Sequence, residues 1–167
     1  LYFGEWFGWG PAWDSFRIAA NVSYIDSEVT LLGSGETAAD VPLTGGRQIA
    51  PLFSNERPMT GQSDWLGNLQ FTYEDLASGF TANLLYNFTG ERIILVGDNN
   101  APDIVEEDRH RVDLLLRYAF EWDYSELELE AKVANLFDSE VEWTQGGRAY
   151  ERWDPGITYS FSVKARF

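Results

Sequence analysis

Apolar and polar side chains alternate with a period of two in six separate stretches of the chain. In the last stretch every second residue is apolar, namely Ile157, Tyr159, Phe161, Val163, Ala165 and Phe167. The other stretches cover about residues 17–24, 68–74, 80–89, 112–121 and 127–133. Successive side chains of a β-strand point to opposite faces, so a period of two is typical of a strand with one apolar and one polar face. The pattern predicts an all-β, antiparallel fold with six strands.

The connections between the predicted strands differ in length. The two short connections are Glu74–Gly79 and Glu121–Ser125, and the long ones run roughly over Leu32–Asp64, Gly97–Asp108 and Thr144–Trp153. The predicted strands have about 7–11 residues, and a tilted strand needs about 9–11 residues to cross a bilayer. Short turns at one end of a sheet and long loops at the other are typical of outer-membrane barrels.

The apolar faces combine small residues with aromatic residues near the strand ends. Ala82 and Ala131 represent the small residues, and Tyr24 and Tyr118 the aromatic ones. A lipid phase accepts side chains of any volume, whereas a soluble core requires complementary shapes. Aromatic rings at strand ends are typical of the girdles at membrane interfaces. The pattern therefore favours a membrane sheet, and the alternative is a soluble antiparallel barrel or sandwich with its apolar face inward.

Composition narrows the possible partners. The chain has 167 residues, of which 27 are acidic and 12 basic, so its formal charge is −15. This charge argues against nucleic acid as a partner, because such binding needs a basic surface. There is no cysteine, which excludes disulfides and thiolate metal sites and suits a protein of the bacterial envelope. The longest aliphatic run, Ile93–Val96, is too short for a membrane helix.

Several motifs resemble those of one protein family. They occur in order along the chain as Arg57-Pro58-Met59-Thr60-Gly61-Gln62-Ser63, Trp65-Leu66-Gly67-Asn68-Leu69, Leu84-Leu85-Tyr86-Asn87, Asn135-Leu136-Phe137-Asp138, Thr144-Gln145-Gly146-Gly147, Asp154-Pro155-Gly156 and a final Phe167. This series resembles the C-terminal part of TonB-dependent outer-membrane receptors. The resemblance runs from about Trp13 to Phe167.

The resemblance implies a fold, a location and a set of partners. Residues 1–167 would form about six C-terminal strands of a large up-and-down transmembrane β-barrel of about 22 strands, with the plug domain and the earlier strands absent from this sequence. The whole receptor would lie in the bacterial outer membrane and take up a scarce solute, such as a siderophore, cobalamin or an oligosaccharide. Its partners would be outer-membrane lipid, the remaining strands and plug, the TonB complex and the barrel-assembly machinery. That machinery would read the C-terminal insertion signal Tyr159, Phe161, Val163, Ala165 and Phe167.

Two other functions remain open. The chain could be a barrel fragment that transports nothing and serves as a structural or assembly module with another barrel chain. It could also be a soluble β-barrel that binds an apolar ligand inside. Neither alternative is an enzyme, and the sequence suggests no cofactor and no catalytic or metal-binding set.

Two groups of residues are candidates for contact with a solute. In a membrane barrel the polar faces point into the lumen, and they carry the charged residues Arg17, Asp113, Arg117, Glu128, Glu130, Lys132, Lys164 and Arg166. Mixed signs on adjacent strands favour ion pairing, with a solute path as the alternative. Aromatic residues and arginines also frame the last outer loop, which makes Trp143, Arg148, Tyr150, Arg152 and Trp153 the candidate ligand-facing patch.

Three further features of the sequence concern catalysis or metal binding, and each has a simpler structural interpretation. The neighbouring carboxylates of Glu128 and Glu130 could serve acid–base catalysis, but no pocket is implied around them. The acidic segment 98–108 could bind Ca²⁺, although its spacing matches no EF-hand and a solvated loop is the simpler interpretation. His110 is the only histidine and is interpreted as a surface residue at a strand end rather than as a metal ligand.

Overall fold

The computed structural model describes residues 14–30, 56–97 and 101–166. Within these ranges the chain forms strands and connecting segments and no helix. The strands are β1 (Phe16–Tyr24), β2 (Glu28–Thr30), β3 (Glu56–Pro58), β4 (Trp65–Asp75), β5 (Phe80–Thr89), β6 (Arg92–Leu95), β7 (Ile104–Glu106), β8 (Arg109–Trp122), β9 (Ser125–Ala134), β10 (Val141–Gln145), β11 (Arg148–Trp153) and β12 (Thr158–Arg166). The described part of the chain has no helix long and apolar enough to span a membrane.

Six of these strands form the main sheet, in the order β1-β4-β5-β8-β9-β12. Every neighbouring pair is antiparallel, and the spatial order follows the order along the chain. These are the six strands that the alternating pattern predicts, so the all-β, antiparallel prediction is confirmed. The alternation locates them because each strand has one face that differs in polarity from the other.

The register of the main sheet puts all the apolar faces on one side. Phe71 lies opposite Leu84, and Leu84 lies opposite Leu114 on the next strand. The neighbouring positions Leu85 and Asp113 are opposite each other on the other side. We call these two sides the apolar face and the polar face. A slip of one residue in any pair would mix them, so the register follows the hydrophobic pattern.

The apolar face of the main sheet is largely uncovered in the described part of the molecule. On β12 the side chains of Tyr159, Phe161 and Val163 are 73%, 69% and 57% exposed. Large exposed apolar side chains are also present on the other strands of this face, among them Val22, Tyr24, Trp65, Leu69, Phe71, Leu84, Tyr118 and Trp122. The described chain therefore supplies no second layer for this face.

The connections sort to the two ends of the main sheet as predicted. At the short-turn end, β4 and β5 are joined by residues 76–79, and β8 and β9 by Asp123 and Tyr124. Asp123 has a φ of 58°, and Gly79 has a φ of 72° with the Ala119 carbonyl oxygen directly against the place where a Cβ would stand. A side chain at position 79 would collide with that backbone, which explains why this turn needs glycine. All longer connections leave from the opposite, long-connection end.

The prediction that the long connections are loops is wrong for parts of all three of them. The segments β6, β7, β10 and β11 form a second sheet of four strands, in the order β11-β10-β7-β6. Thus Gly97–Asp108 contains the strand β7, and Thr144–Trp153 contains the end of β10 and all of β11. The predicted loop Leu32–Asp64 contains the strand β3, which pairs with β2 in a third sheet of two strands. These strands are too short to show a convincing alternation, and the pairs β7–β10 and β2–β3 join segments that lie far apart along the sequence.

Some sequence-based predictions fall outside the described residues. They concern most of the predicted loop Leu32–Asp64, Asp98 of the acidic segment and Phe167 of the C-terminal insertion signal. The other four residues of that signal lie on β12, on its apolar face, opposite residues of β9.

Candidate functional site

The second sheet joins two connections that are distant in sequence. Its central pair is β7 with β10, in which Glu106 lies opposite Trp143. The peptide nitrogen of Glu107 donates a hydrogen bond of 2.9 Å to the carbonyl oxygen of Glu142. The hydroxyl of Thr144 donates a bond of 2.6 Å to the carboxylate of Glu107. The connection between β5 and β8 is therefore fixed to the connection between β9 and β12.

Glu106 is the central charged residue of this sheet. It is 6% exposed, and its two carboxylate oxygens accept bonds of 3.0 and 3.2 Å from one guanidinium nitrogen of Arg92. The indole nitrogen of Trp143 donates a third bond, 3.2 Å long, to the same carboxylate. A buried carboxylate needs such partners, because an unpaired charge away from water is costly. The sequence analysis assigned Glu106 only to an acidic segment, and no local pattern indicates its partners.

The candidate ligand-facing patch lies on the hairpin β10–β11. The rings of Trp143 and Trp153 meet edge to face with their centroids 5.1 Å apart. Tyr150 is 55% exposed, and it stands where the register shifts between Trp143 and Thr144, so that it has no residue opposite on β10. A bulge of this kind turns a side chain out of the regular alternation. The hairpin thus carries exposed rings at Tyr150 and Trp153, and its role as a ligand-facing patch stays a prediction.

The two arginines of the patch differ in their partners. Arg152 donates a bond of 2.8 Å to the Glu142 carboxylate and lies 3.3 Å from a Glu140 oxygen. The bond to Glu142, followed by the charges of Glu142 and Glu140, raises the pKa of the Arg152 guanidinium above its ordinary value. Arg148 is exposed and forms no ion pair with any described residue. Of the two, only Arg148 presents an uncompensated positive charge to solvent.

The charged residues of the polar face are mostly paired across strands. The pairs between adjacent strands are Arg17 with Glu74, Arg117 with Glu128 at 3.9 Å, Lys132 with Asp113 at 3.9 Å, Lys164 with Glu128 at 2.8 Å and Arg166 with Glu126 at 3.4 Å. Glu130 lies opposite Arg117 and Ser162 and forms no ion pair within the described ranges. This arrangement is the pairing that the mixed signs favoured. The cationic side chain of every pair is exposed, so each pair contributes little to stability.

The acidic segment and the lone histidine have specific partners. Asp103 accepts a bond of 2.8 Å from the peptide nitrogen of Gly97, and Asp108 lies 3.0 Å from Nε2 of His110. On the other side of the imidazole, Nδ1 is 2.6 Å from the hydroxyl of Tyr86. His110 is thus an exposed residue at the start of β8, as predicted, and it has the carboxylate of Asp108 beside it. No group of three or more potential metal ligands occurs among residues 14–30, 56–97 and 101–166.

A buried asparagine organises the turn between β9 and β10. Asn135 is 6% exposed and has a φ of 57°. Its amide nitrogen donates bonds of 3.2 Å to the carbonyl oxygens of Ser139 and Gly156, and its amide oxygen accepts one of 2.9 Å from the Ser139 nitrogen. Its peptide nitrogen donates to the Asp113 carboxylate at 3.0 Å. Asparagine tolerates positive φ better than most residues, so one side chain sets the turn and ties it to the start of β12.

The carboxyl groups beside this turn repel one another. Desolvation, the charge of Asp154 and a hydrogen bond with Asp154 raise the pKa of Asp138 above its ordinary value, and Glu140 adds to the effect. Asp138 has a φ of 55°, and its nitrogen donates a bond of 2.9 Å to the Asn135 carbonyl oxygen. The turn therefore holds Asp138 in place despite an unfavourable negative charge.

Comparison of the chain with protein-family models, curated proteins and solved structures finds no match.

Proposed function

We propose that this chain forms part of the wall of an outer-membrane β-barrel of the TonB-dependent receptor type. In this proposal its six main strands are the C-terminal strands of a barrel of about 22. The complete receptor takes up a scarce solute, of the siderophore, cobalamin or oligosaccharide type, through contacts with its outer loops. Uptake is energised by the TonB complex acting on the plug, and both the plug and the remaining strands come from outside the described sheet.

The uncovered apolar face of the main sheet is the observation that carries the proposal. Two rows of aromatic side chains border this face, one at each end. Phe16, Tyr73, Phe80, Tyr118 and Phe120 lie near the short-turn end, and Tyr24, Trp65, Tyr86, Phe88 and Tyr159 lie near the long-connection end. Mainly aliphatic residues such as Leu84 and Leu114 lie between the rows. A lipid-facing barrel wall needs this distribution, because aromatic rings prefer the interface and aliphatic chains the hydrocarbon.

The distance between the aromatic rows suits a membrane. Phe16 and Tyr24 mark the two rows on β1 and are eight residue steps apart. At about 3.3 Å per residue this is roughly 26 Å along the strand. For a strand tilted by about 40° it becomes about 20 Å along the membrane normal, close to the apolar band of about 25 Å in outer-membrane barrels.

The edges of the main sheet support a multi-part barrel. Within the described residues β1 pairs only with β4, and β12 pairs only with β9. Lipid does not tolerate unpaired strand edges, because nothing in the hydrocarbon can bond their peptide groups. In the proposed receptor both edges pair with further strands, which close the barrel. A soluble barrel with its apolar side chains inside would instead need β1 and β12 to meet and enclose that face.

The proposal is tested by labelling two adjacent positions on opposite faces. The chain has no cysteine, so Leu84→Cys and Leu85→Cys each give a single site for a bimane fluorophore. The labelled full chain, together with any further strands it requires, is reconstituted in vesicles that contain brominated lipid, with soluble iodide as the second quencher. We expect brominated lipid to quench the label at 84 and iodide to quench the label at 85.

A different quenching pattern would contradict the proposal. Shielding of position 84 from both quenchers would mean that the apolar face is an internal core, as in the soluble alternative. The third possibility, a structural or assembly module, predicts the same lipid contact but no solute uptake. Uptake by cells that carry the complete gene, compared with cells in which it is deleted, separates these two.

A further inference from the structure

We propose that a small cavity beside Arg109 binds an anionic oxygen group, a carboxylate or phosphate, carried by the transported solute. The cavity, which we call the Arg109 cavity, has a volume of about 120 Å³, and its lining includes Arg109, Arg111, Asn135, Ser139 and Gly156. It lies at the long-connection end of the polar face, where β8 starts, β9 ends and β12 begins. The inference rests on the proposed function, because it takes this face to line the solute path.

Arg109 differs from the other arginines of the polar face. Each of the others has a carboxylate within 4.0 Å, namely Arg17, Arg111, Arg117 and Arg166. The half-buried side chain of Arg109 makes neither an ion pair nor a hydrogen bond with any residue in the described ranges, and the residue opposite it on β5 is the uncharged Thr89. A guanidinium has five N–H donors in a fixed plane and stays charged, so an unpaired one beside a cavity is suited to an oxyanion.

Arg111 adds a second cationic group to the cavity. Its Nε and one terminal nitrogen bond the two oxygens of Asp113 at 2.8 and 3.1 Å, which leaves its other terminal nitrogen available. Lys132 lies 3.9 Å from the same carboxylate. The two charged side chains that line the cavity, Arg109 and Arg111, are therefore both cationic. Their charge favours an anion in the cavity.

The walls of the Arg109 cavity are held in place by buried polar groups. Asp113 and Asn135 are 8% and 6% exposed and are bonded to each other. Asn135 in turn bonds the backbone at Ser139 and Gly156, both of which line the cavity. A fixed arrangement of donors lowers the entropic cost of binding. The cavity thus has the preformed character of a binding site.

The size and position of the cavity define the ligand group. The cavity volume of about 120 Å³ is large enough for one carboxylate or phosphate group. Arg109 belongs to the polar face and so points away from the apolar face that would contact lipid. We therefore assign the anion to a solute and not to a lipid headgroup.

Phosphate binding to the full chain tests this assignment. The chain, with any further strands it requires, is purified in a neutral maltoside detergent and titrated with inorganic phosphate, followed by ³¹P NMR line broadening. We expect Arg109→Gln to weaken binding about tenfold or more and Arg109→Lys to weaken it less, because lysine keeps the charge but not the planar donor set. Ala77→Glu is the control, because it lowers the net charge by the same one unit in the exposed turn 76–79, at the opposite end of the main sheet; it should leave phosphate binding unchanged.

Each outcome separates this inference from the proposed function. Equal phosphate binding by the wild type and Arg109→Gln would overturn the assignment. The titration is repeated with phosphatidylglycerol added to the detergent micelles. Broadening of the phosphatidylglycerol ³¹P line without any broadening of the inorganic phosphate line would also overturn the assignment, because the source of the anion would then be a lipid. Bimane quenching at position 84 is measured in parallel. If lipid contact persists while the phosphate result fails, only the Arg109 cavity is wrong, whereas loss of lipid contact contradicts the proposed function itself.

Discussion

The indole nitrogen of Trp143 donates a hydrogen bond of 3.2 Å to the carboxylate of Glu106, 37 residues earlier in the chain. This bond crosses from one long connection to the other, and both residues belong to the second sheet. The two connections are therefore one structural unit at the long-connection end. In the proposed receptor this unit would hold the aromatic hairpin that faces the solute.

The first prediction concerns this link. Glu106→Gln removes the buried charge that Arg92 pairs with and weakens the acceptor for Trp143, so we expect the second sheet to lose about 2–3 kcal/mol of stability. Hydrogen exchange of the β10 and β11 amides should become faster while the main sheet is unchanged. Glu151→Gln is the control, because Glu151 is exposed on the outer strand of the same sheet. Equal exchange rates in Glu106→Gln and wild type would show that the strands of the second sheet do not depend on this carboxylate.

The second prediction uses two adjacent leucines in the middle of β8. Leu114 lies on the apolar face, opposite Leu84 and Val133, whereas Leu115 lies on the polar face, opposite Asn83 and Lys132. We expect Leu114→Arg to destabilise the membrane-inserted protein by about 2–4 kcal/mol, since the arginine would face hydrocarbon near the midplane. Leu115→Arg should cost much less.

Unfolding by guanidinium from detergent micelles, followed by tryptophan fluorescence, measures both leucine variants. A similar loss of stability for the two would show that the two faces of β8 do not differ in environment.

The third prediction concerns the buried Asn135. Asn135→Gly keeps the backbone freedom needed for a φ of 57° but loses the side-chain bonds, at a cost of roughly 2 kcal/mol. Asn135→Ala should cost about 1 kcal/mol more, because alanine is strained at positive φ. Denaturant unfolding gives the order wild type, Gly and Ala from most to least stable. If Ala were the more stable of the two variants, the turn would not depend on the left-handed backbone.

The fourth prediction is a pH effect at Asp138, whose pKa is raised in the folded protein above its ordinary value of 3.8 by desolvation and by Asp154. Folding then favours the protonated form. Its contribution is fully present below pH 3.8 and is lost as the pH rises through the folded pKa. Asp138→Asn should therefore raise the thermal midpoint at pH 7 and have little effect below pH 3.8.

Asp123→Asn is the matched control for this effect, since Asp123 also has a positive φ but lies in the turn at the short-turn end. We expect no comparable gain from it at pH 7. A gain for Asp138→Asn that is the same at both pH values would contradict an electrostatic origin.

The sequence by itself determined the six main strands, their polar and apolar faces and the ends at which short turns and long connections lie. These features follow from a period of two and from the lengths of the intervals, which are local properties. A residue such as Leu84 differs from its neighbour Leu85 only by its place in this alternation, and the alternation was sufficient to put the two leucines on opposite faces. The charges on adjacent strands also indicated cross-strand pairs, because the register follows the same pattern.

Only the tertiary structure decided which strands form the second sheet and which charged groups remain unpaired. Glu106 and Trp143 meet because two distant connections pair, and no local pattern encodes that pairing. For the same reason the sequence could not distinguish Arg152, which two glutamates compensate, from Arg109, which has no partner among the described residues. Contacts over long sequence separations depend on how whole strands are placed, and one residue type in the same local context can then be buried, paired or available for a ligand.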